Sequence, residues 1–459
     1  MAYKKNRSKK CNSWIGPLVF LGVVLVNVNS AVSWAAFASK FLLSVGEQYT
    51  DNVFFSKDKE HDFVTVLTPT LTLLFAPQGE IAPTANINFS PSAQLFSQHS
   101  ELNNFGRTMS MNAGYTEKLT PRLSLYLADT LSRTGASRTG DFGAGGLLAT
   151  PTATPGVGGL GTTPGSQNLK DFTSVGDTVT NNFSVRGTFL YQPNISFNAD
   201  YSNNFTKFLS RGGSDITQTI GARGVYNWRQ EHNLHAGYSV SIANARNGDD
   251  ALIHNFDIGD DFFSNAQIRL SPTLTIALSS GFGINTGTQG PRIANNTNLT
   301  VTKLWQTATL TGGMRKGLTP SFGVSGISDT TSFFTDFDSR ITDRLTGKVG
   351  TSFSFYDTDD VKFKTLQATA GLQYLINSWL SSNLSYNFRS TNSGVGASTS
   401  TLLQKGTVSS NTIFLSLSAQ FDLWPNPGLS RGISSLSAVP IITPPFSSGP
   451  APAGSSNKP

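Results

Sequence analysis

Hydrophobic and polar residues alternate with a period of two along most of the chain. Between residues 195 and 202, Ile, Phe, Ala and Tyr alternate with Ser, Asn and Asp, and residues 413–421 repeat the pattern. Because successive side chains of a strand point to opposite faces, the pattern predicts strands. The runs are about ten residues long, which is the length that a tilted strand needs to cross a bilayer. No helical pattern of useful length follows residue 40.

The polar face of these strands favours a membrane barrel over a soluble sandwich or solenoid. It is made of Ser, Thr, Asn, Gln and Gly, and charged residues are 14% of the chain. Ordinary soluble domains carry roughly 25%. Strands in soluble proteins also peak near five or six residues, below the length found here. We therefore predict an all-β protein, a transmembrane antiparallel up-and-down β-barrel with short periplasmic turns and longer external loops.

The connections between the predicted strands alternate between short and long. Counting them predicts about 18 strands, and 16 stays open because the strands between residues 252 and 306 are the weakest. Short turns are expected near residues 77–79, 118–122, 192–194, 229–233, 271–272, 304–306, 342–344 and 377–378. Longer connections are expected near residues 50–60, 98–104, 133–177, 208–214, 246–251, 286–297, 318–328, 358–361 and 391–409.

The N-terminal segment has the three parts of a secretory signal peptide. Basic residues within the first ten positions precede an apolar stretch over residues 14–28, and Ala36-Phe37-Ala38 forms an A-x-A site. A retained helix is the alternative, but the run falls short of roughly 20 residues. We predict a signal peptide over 1–38, a barrel over 39–424 and a disordered Pro/Ser-rich periplasmic tail over 425–459.

Loss of the signal peptide changes the charge and the cysteine count. The chain has 34 basic and 28 acidic residues, and the predicted signal peptide holds five of the basic ones. The remainder is almost neutral, so no basic patch indicates nucleic acid as a partner. The single cysteine, Cys11, is also lost, which excludes disulfides and cysteine-based metal sites from the mature chain.

Aromatic residues fall where a membrane barrel needs them. The tryptophans outside the signal peptide lie at the predicted periplasmic turns or at the end of the final strand, where a lipid-interface girdle is expected. These are Trp228, Trp305, Trp379 and Trp424. Phe421 ends the last alternating run and is similar to the terminal aromatic signal that the barrel-assembly machinery recognises, although a tail follows it here.

The start of the predicted barrel resembles a family of outer-membrane β-barrel proteins. The matching residues are Glu47-Gln48-Tyr49-Thr50-Asp51-Asn52-Val53-Phe54, followed by Asp62-Phe63 and Pro69, and the turn over residues 119–123 is also similar. Members of this porin-like family are often encoded near exopolysaccharide-export and PEP-CTERM protein-sorting systems. The resemblance implies a barrel in a Gram-negative outer membrane and a role in the export of a polysaccharide.

The sequence gives little support for an enzymatic function. His232 and His235 are the only close pair of histidines, and a spacing of three places them on opposite faces of a strand. We interpret both as exposed turn residues and predict no metal site. No nucleophile elbow or zinc-protease motif is present, so we expect no enzyme and no cofactor.

The interior of the barrel is the remaining place for function. Charged residues on the polar face predict a pore lining: Arg186, Asp200, Arg223, Lys348 and Arg389. The alternative is that they pair with one another across the wall or sit at the rim. The longest connection, residues 133–177, is rich in Gly and Pro, and either folds into the lumen or stays outside. A porin-like passive channel for small polar solutes or sugars is the favoured function, because hydrogen-bonding side chains suit hydrated solutes.

Two other functions stay open at this stage. One is a component of exopolysaccharide export, and the other is a non-transporting surface scaffold or adhesion barrel that displays loops 133–177 and 391–409. The expected partners are outer-membrane lipid and lipopolysaccharide, the barrel-assembly machinery, and a polysaccharide or small polar solutes.

Overall fold

The structure, a computed structural model, describes most of the predicted barrel. The predicted signal peptide up to residue 36, the tail from residue 425 and most of the connection 133–177 lie outside the described residues. The described ranges are 37–75, 84–134, 177–209, 213–229, 232–244, 250–263, 273–286, 291–320, 327–357, 362–393 and 406–424.

Eighteen antiparallel strands and one short 3-10 turn, Ser100–Leu102, make up the described structure. The strands are 12 to 19 residues long, as β5 and β18 show, so the predicted length of about ten was too short. The strands are β1 Phe37–Thr50, β2 Asp62–Phe75, β3 Thr84–Phe96, β4 Asn104–Thr120, β5 Leu123–Thr134, β6 Thr178–Gln192, β7 Ile195–Phe208, β8 Ser214–Arg229, β9 His232–Asn244, β10 Asp250–Phe263, β11 Leu274–Asn285, β12 Arg292–Leu304, β13 Ala308–Pro320, β14 Ile327–Arg340, β15 Leu345–Asp357, β16 Lys362–Leu375, β17 Leu380–Ser393 and β18 Gly406–Trp424.

Each strand pairs with its neighbours in sequence, and the sheet closes on itself. β1 pairs with β2 on one side and with β18 on the other, so that Ser44 lies opposite both Thr68 and Ser418. This confirms the predicted antiparallel barrel and its count of 18 strands. The three weakly predicted strands, β10 to β12, are present, which removes the 16-strand alternative. Closure leaves no sheet edge with unpaired backbone groups.

The two faces of the sheet differ as the alternation predicts. On β18, Ile413, Leu415 and Leu417 are exposed, whereas Thr412 and Ser416 on the opposite face are buried. Exposed Leu, Ile, Phe and Tyr side chains recur around the outside of the barrel. Exposing so large an apolar surface to water would cost free energy, whereas the hydrocarbon core of a bilayer accommodates it. A closed antiparallel barrel with an apolar exterior is the architecture of bacterial outer-membrane proteins, and this chain is one.

Short turns at one end of the barrel are closed by side chains. Thr120 and Thr342 each accept a hydrogen bond through Oγ1 from the backbone N–H three positions on, at 3.0 Å. Asn377 Oδ1 accepts the equivalent bond at 2.8 Å. Thr and Asn favour turns because they can replace a backbone acceptor in this way. We call this end the turn rim, and the opposite end the loop rim.

The four predicted girdle tryptophans all lie at the turn rim. Trp228 is near the end of β8, Trp305 follows β12, Trp379 precedes β17 and Trp424 ends β18. Each is at least 48% exposed. They share one rim because every even-numbered strand ends there. Their contact with lipid headgroups stays a prediction.

Phe421 lies on the outward face of β18, opposite Phe41 of β1. Its ring stacks on Trp379 at a centroid distance of 6.4 Å. β18 continues for three residues beyond it, to Trp424. The role of Phe421 as an assembly signal stays a prediction.

His232 and His235 both belong to β9, on opposite faces, as their spacing predicts. The interpretation of both as exposed turn residues was wrong. His235 is buried on the inward face, and His232 Nδ1 lies 2.5 Å from Asp260 Oδ2 on the outward face.

Within the described ranges, no helix is long and apolar enough to cross a membrane.

Candidate channel interior

The connection between β1 and β2 folds into the barrel. Val53, which is 0% exposed, packs with Val64, Val66, Phe96 and Phe414. Val64 and Val66 alternate along β2 with outward-facing Phe63 and Leu67, both exposed, so the cluster lies on the inward face. We call residues 51–61 the inward loop. It was expected only as one of the external connections.

Asn52 holds the turn of the inward loop and ties it to the wall. Its Nδ2 donates to the backbone oxygens of Ser56 at 2.6 Å and Ser409 at 2.9 Å, while its Oδ1 accepts from Ser56 N–H at 2.9 Å. Asn52 is buried, and its side-chain amide therefore replaces the backbone partners that this sharp turn would otherwise lack.

Asp51 anchors the first end of the inward loop to β18. Oδ1 accepts from the Asn411 N–H at 2.6 Å, and Oδ2 accepts from Asn411 Nδ2 and from Lys59 Nζ, both at 2.8 Å. Partial burial alone would raise the pKa of Asp51. The hydrogen bonds from Lys59 and Asn411 outweigh burial and hold the pKa below its usual value.

Asp62 and His99 anchor the second end. Asp62 Oδ1 accepts from the Ser97 hydroxyl at 2.7 Å, and Asp62 Oδ2 lies 2.8 Å from His99 Nδ1. His99 Nε2 lies 2.9 Å from Glu60 Oε2. With a carboxylate at each ring nitrogen, only the imidazolium can donate in both directions. The contact with Glu60, followed by that with Asp62, raises the pKa of His99 above its ordinary value.

Phe55 occupies the tip of the inward loop in a left-handed conformation. Its φ of +47° is costly for a bulky L-residue. The buried ring packs against Val408 of β18, and the guanidinium of Arg389 lies 4.9 Å from the ring centroid. A cation over an aromatic face adds attraction to the apolar contact. The loop tip is therefore fixed to the wall at β17 and β18.

Arg186, Asp200 and Arg223 lie together on the inward face of three neighbouring strands. Arg186 on β6 is directly opposite Asp200 on β7. Arg223 on β8 pairs with Asp257 of β10, with 2.7 Å between its Nη2 and Oδ2. Buried His235 lies on the same side, with Nε2 3.8 Å from Asp257 Oδ2. Opposite charges thus alternate along this arc of the wall.

A second arc of paired charges includes the predicted Lys348. Its Nζ lies 3.1 Å from Asp338 Oδ1 on the neighbouring strand β14. Arg315 of β13 lies 4.8 Å from the ring centroid of Phe334. The strand register explains the contact between Lys348 and Asp338, because the two residues lie directly opposite each other on β15 and β14.

The structure therefore brings the first three predicted lining residues into one cluster, places Lys348 in another and Arg389 beneath the inward loop. Sequence reasoning missed Asp257, His235, Asp338 and Arg315. Each occupies an inward position of an alternating strand, so strict parity along β9, β10, β13 and β14 is the signal that could have found them. In the described part of the chain, no group of three or more His, Cys, Asp or Glu residues could hold a metal ion.

The chain was compared with known sequences and with solved structures. No protein-family model and no curated protein matches the sequence. The outer membrane protein OpdK from Pseudomonas aeruginosa is similar in structure, with 12% identity, a TM-score of 0.44, and coverage of 84% of this chain and 99% of that one. OccAB4 from Acinetobacter baumannii is 12% identical, with a TM-score of 0.44 and coverage of 84% of this chain and 98% of that one. OccK2 (OpdF) from P. aeruginosa, solved in complex with glucuronate, is 9% identical, with a TM-score of 0.44 and coverage of 84% of this chain and 98% of that one.

Proposed function

We propose that the chain is a passive outer-membrane channel for small polar solutes, and that the inward loop forms its constriction. The observation that carries the proposal is the closed barrel of 18 strands with a polar inward face. Barrels of 16 to 18 strands leave an aqueous lumen, whereas eight-stranded barrels are filled by side chains. The inward loop narrows this lumen near the wall formed by β17, β18 and β1 to β3.

Charge pairing within the wall supports weak ion selectivity. Arg223 and Lys348 are each within 3.1 Å of a carboxylate, so neither presents an uncompensated charge to the lumen. Selectivity then comes from pore width and from hydrogen bonds with Ser, Thr, Asn and Gln of the inward face.

Swelling of proteoliposomes tests this function. Liposomes that hold the folded chain should swell in isosmotic solutions of small uncharged sugars, with rates that fall as the sugar grows. Protein-free liposomes and liposomes holding heat-unfolded chain serve as controls. Swelling no faster than in these controls would reject the channel.

Export of a polysaccharide is the second candidate. The observation that favours it is that residues 51–54, part of the segment that resembles the export-associated family, build the inward loop. A bacterium that lacks the gene should then secrete less polymer, and unchanged secretion would reject this role. A barrel that displays its loops without transport would leave the proteoliposomes impermeable.

A further inference from the structure

A groove on the outside of the barrel crosses β12, β13 and β14 near the turn rim. Its lining is mostly apolar and includes Val301, Leu310, Gly312 and Thr335, with Lys303 at the rim end. Register places the groove on the outward face: Lys303 lies opposite Leu310 of β13, while buried Thr302 points to the other side.

Gly312 leaves the groove open where packing does not require a glycine. A Cβ built there would meet only Phe334 O at 3.5 Å and Thr335 Oγ1 at 3.6 Å, which are ordinary contacts. The neighbouring Gly313 differs, because a Cβ there would overlap the backbone oxygen of Leu299. The sheet therefore needs the second glycine but not the first, and a side chain at position 312 would fill the groove.

Lys303 places a cation at the end of this groove. Its Nζ donates to Thr273 Oγ1 at 2.9 Å and lies 5.9 Å from the ring centroid of Trp305. A lysine on a lipid-facing surface extends its aliphatic stem along apolar neighbours and turns its ammonium towards the headgroups. The tryptophan marks the same level, since indole rings collect at the membrane interface.

We propose that this groove binds one acyl chain of an anionic phospholipid, with the lipid phosphate on the Lys303 ammonium. The apolar lining accounts for the chain and the single cation accounts for the preference in headgroup, because basic side chains at a membrane surface attract anionic lipids. This site lies outside the lumen, so the proposal does not depend on channel activity.

Native mass spectrometry of the folded full chain tests the site. The chain is purified in detergent, exposed to equal amounts of phosphatidylglycerol and phosphatidylcholine, and the retained lipids are counted. The wild type should retain one phosphatidylglycerol in preference to phosphatidylcholine by about fivefold. Equal retention of the two lipids, or none, would overturn the proposal.

Two variants and a control separate the two parts of the site. Lys303→Gln should abolish the headgroup preference, and Gly312→Leu should abolish retention of both lipids. Lys316→Gln is the matched control, because Lys316 is exposed on the outward face of β13, the strand next to that of Lys303, but lies towards the loop rim. Retention by Gly312→Leu at the wild-type level would contradict the groove. Gly312→Val replaces it if the leucine variant does not fold.

Discussion

Arg389 and Phe55 join the inward loop to the barrel wall. The guanidinium of Arg389 on β17 lies 4.9 Å from the ring centroid of Phe55, which stands 334 positions earlier in the chain. The backbone of Phe55 has a φ of +47°. A strained backbone persists only where its surroundings fix it. The contact, together with the anchors at Asp51 and Asp62, gives the loop one defined position inside the barrel.

Removing the Arg389 charge should change ion selectivity. Arg389→Gln removes a positive charge next to the loop tip, so the reversal potential in a KCl gradient should shift towards cation preference. The lost contact with Phe55 should cost about 1–2 kcal/mol of unfolding free energy. Lys364→Gln, which removes an exposed outward lysine from neighbouring β16, is the control and should leave the potential unchanged. An equal shift in both variants would contradict the inward placement of Arg389.

The Arg223–Asp257 pair should behave as a coupled unit. Asp257→Asn removes the carboxylate that contacts Arg223, which should shift selectivity towards anions and lower the unfolding free energy by about 1–3 kcal/mol. Arg223→Gln combined with Asp257→Asn should recover part of that stability. The thermal midpoint of heat-modifiable gel migration measures the stability of the double variant and of both single variants, and the reversal potential in a KCl gradient measures selectivity. Additive losses in the double variant would show that the two side chains do not interact.

The inward loop should loosen at alkaline pH. Because the folded-state pKa of His99 is raised, its stabilising contribution is fully present below its ordinary pKa and is lost as pH rises through the raised value. Tryptic cleavage after Lys57 and Lys59, normalised to cleavage of a free peptide, should accelerate from pH 7 to pH 9. His99→Gln should cleave rapidly at both pH values. Cleavage of the wild type that does not change with pH would refute this role of His99.

The Asp51 anchor acts at the opposite end of the pH range. Its pKa is lowered in the folded chain, so its contribution is present above the ordinary pKa and is lost as pH falls through the lowered value. Asp51→Asn should therefore weaken the loop at neutral pH and reduce its sensitivity to acid. Hydrogen exchange of residues 51–61 measures this, and equal protection in the variant and the wild type would contradict it.

Two glycines should differ sharply in their tolerance of alanine. A Cβ at Gly281 would overlap the backbone oxygen of Phe256, whereas nothing lies within 4 Å of one at Gly187. Gly281→Ala should therefore destabilise the barrel by about 1–3 kcal/mol. Gly187→Ala should be neutral in the same denaturation measurement. Similar stability of the two variants would contradict the close approach of β10 and β11.

The strand pattern was predictable because alternation over a two-faced sheet is a local signal. Short turns carried Thr or Asn at the positions that close them, as at Thr120 and Asn377. The inward loop was not predictable in the same way, since its partner Phe414 on β18 is distant in sequence and only barrel closure brings the two together. Its one local sign was the apolar run Val53 to Phe55 between polar residues of an expected surface loop.

The sequence could predict that charged residues of the wall form pairs, but it could not predict which residues pair. Parity placed Arg223 and Lys348 on the polar face, and pairing across the wall was one of the alternatives left open. Naming Asp257 as the partner of Arg223 requires the register of three strands, because the two residues lie on β8 and β10 with β9 between them. Register depends on every turn and bulge in between, which the sequence pattern leaves undetermined.

Single-channel conductance in a planar bilayer tests the central claim that the inward loop constricts an open barrel. The folded wild type should give steady open steps, and replacement of residues 53–59 by a short Gly/Ser link should give larger ones. Asp343→Asn, in an exposed turn at the opposite rim, is the control and should match the wild type. Steps of equal size with and without the loop, or a folded barrel that stays silent in both forms, would contradict the account.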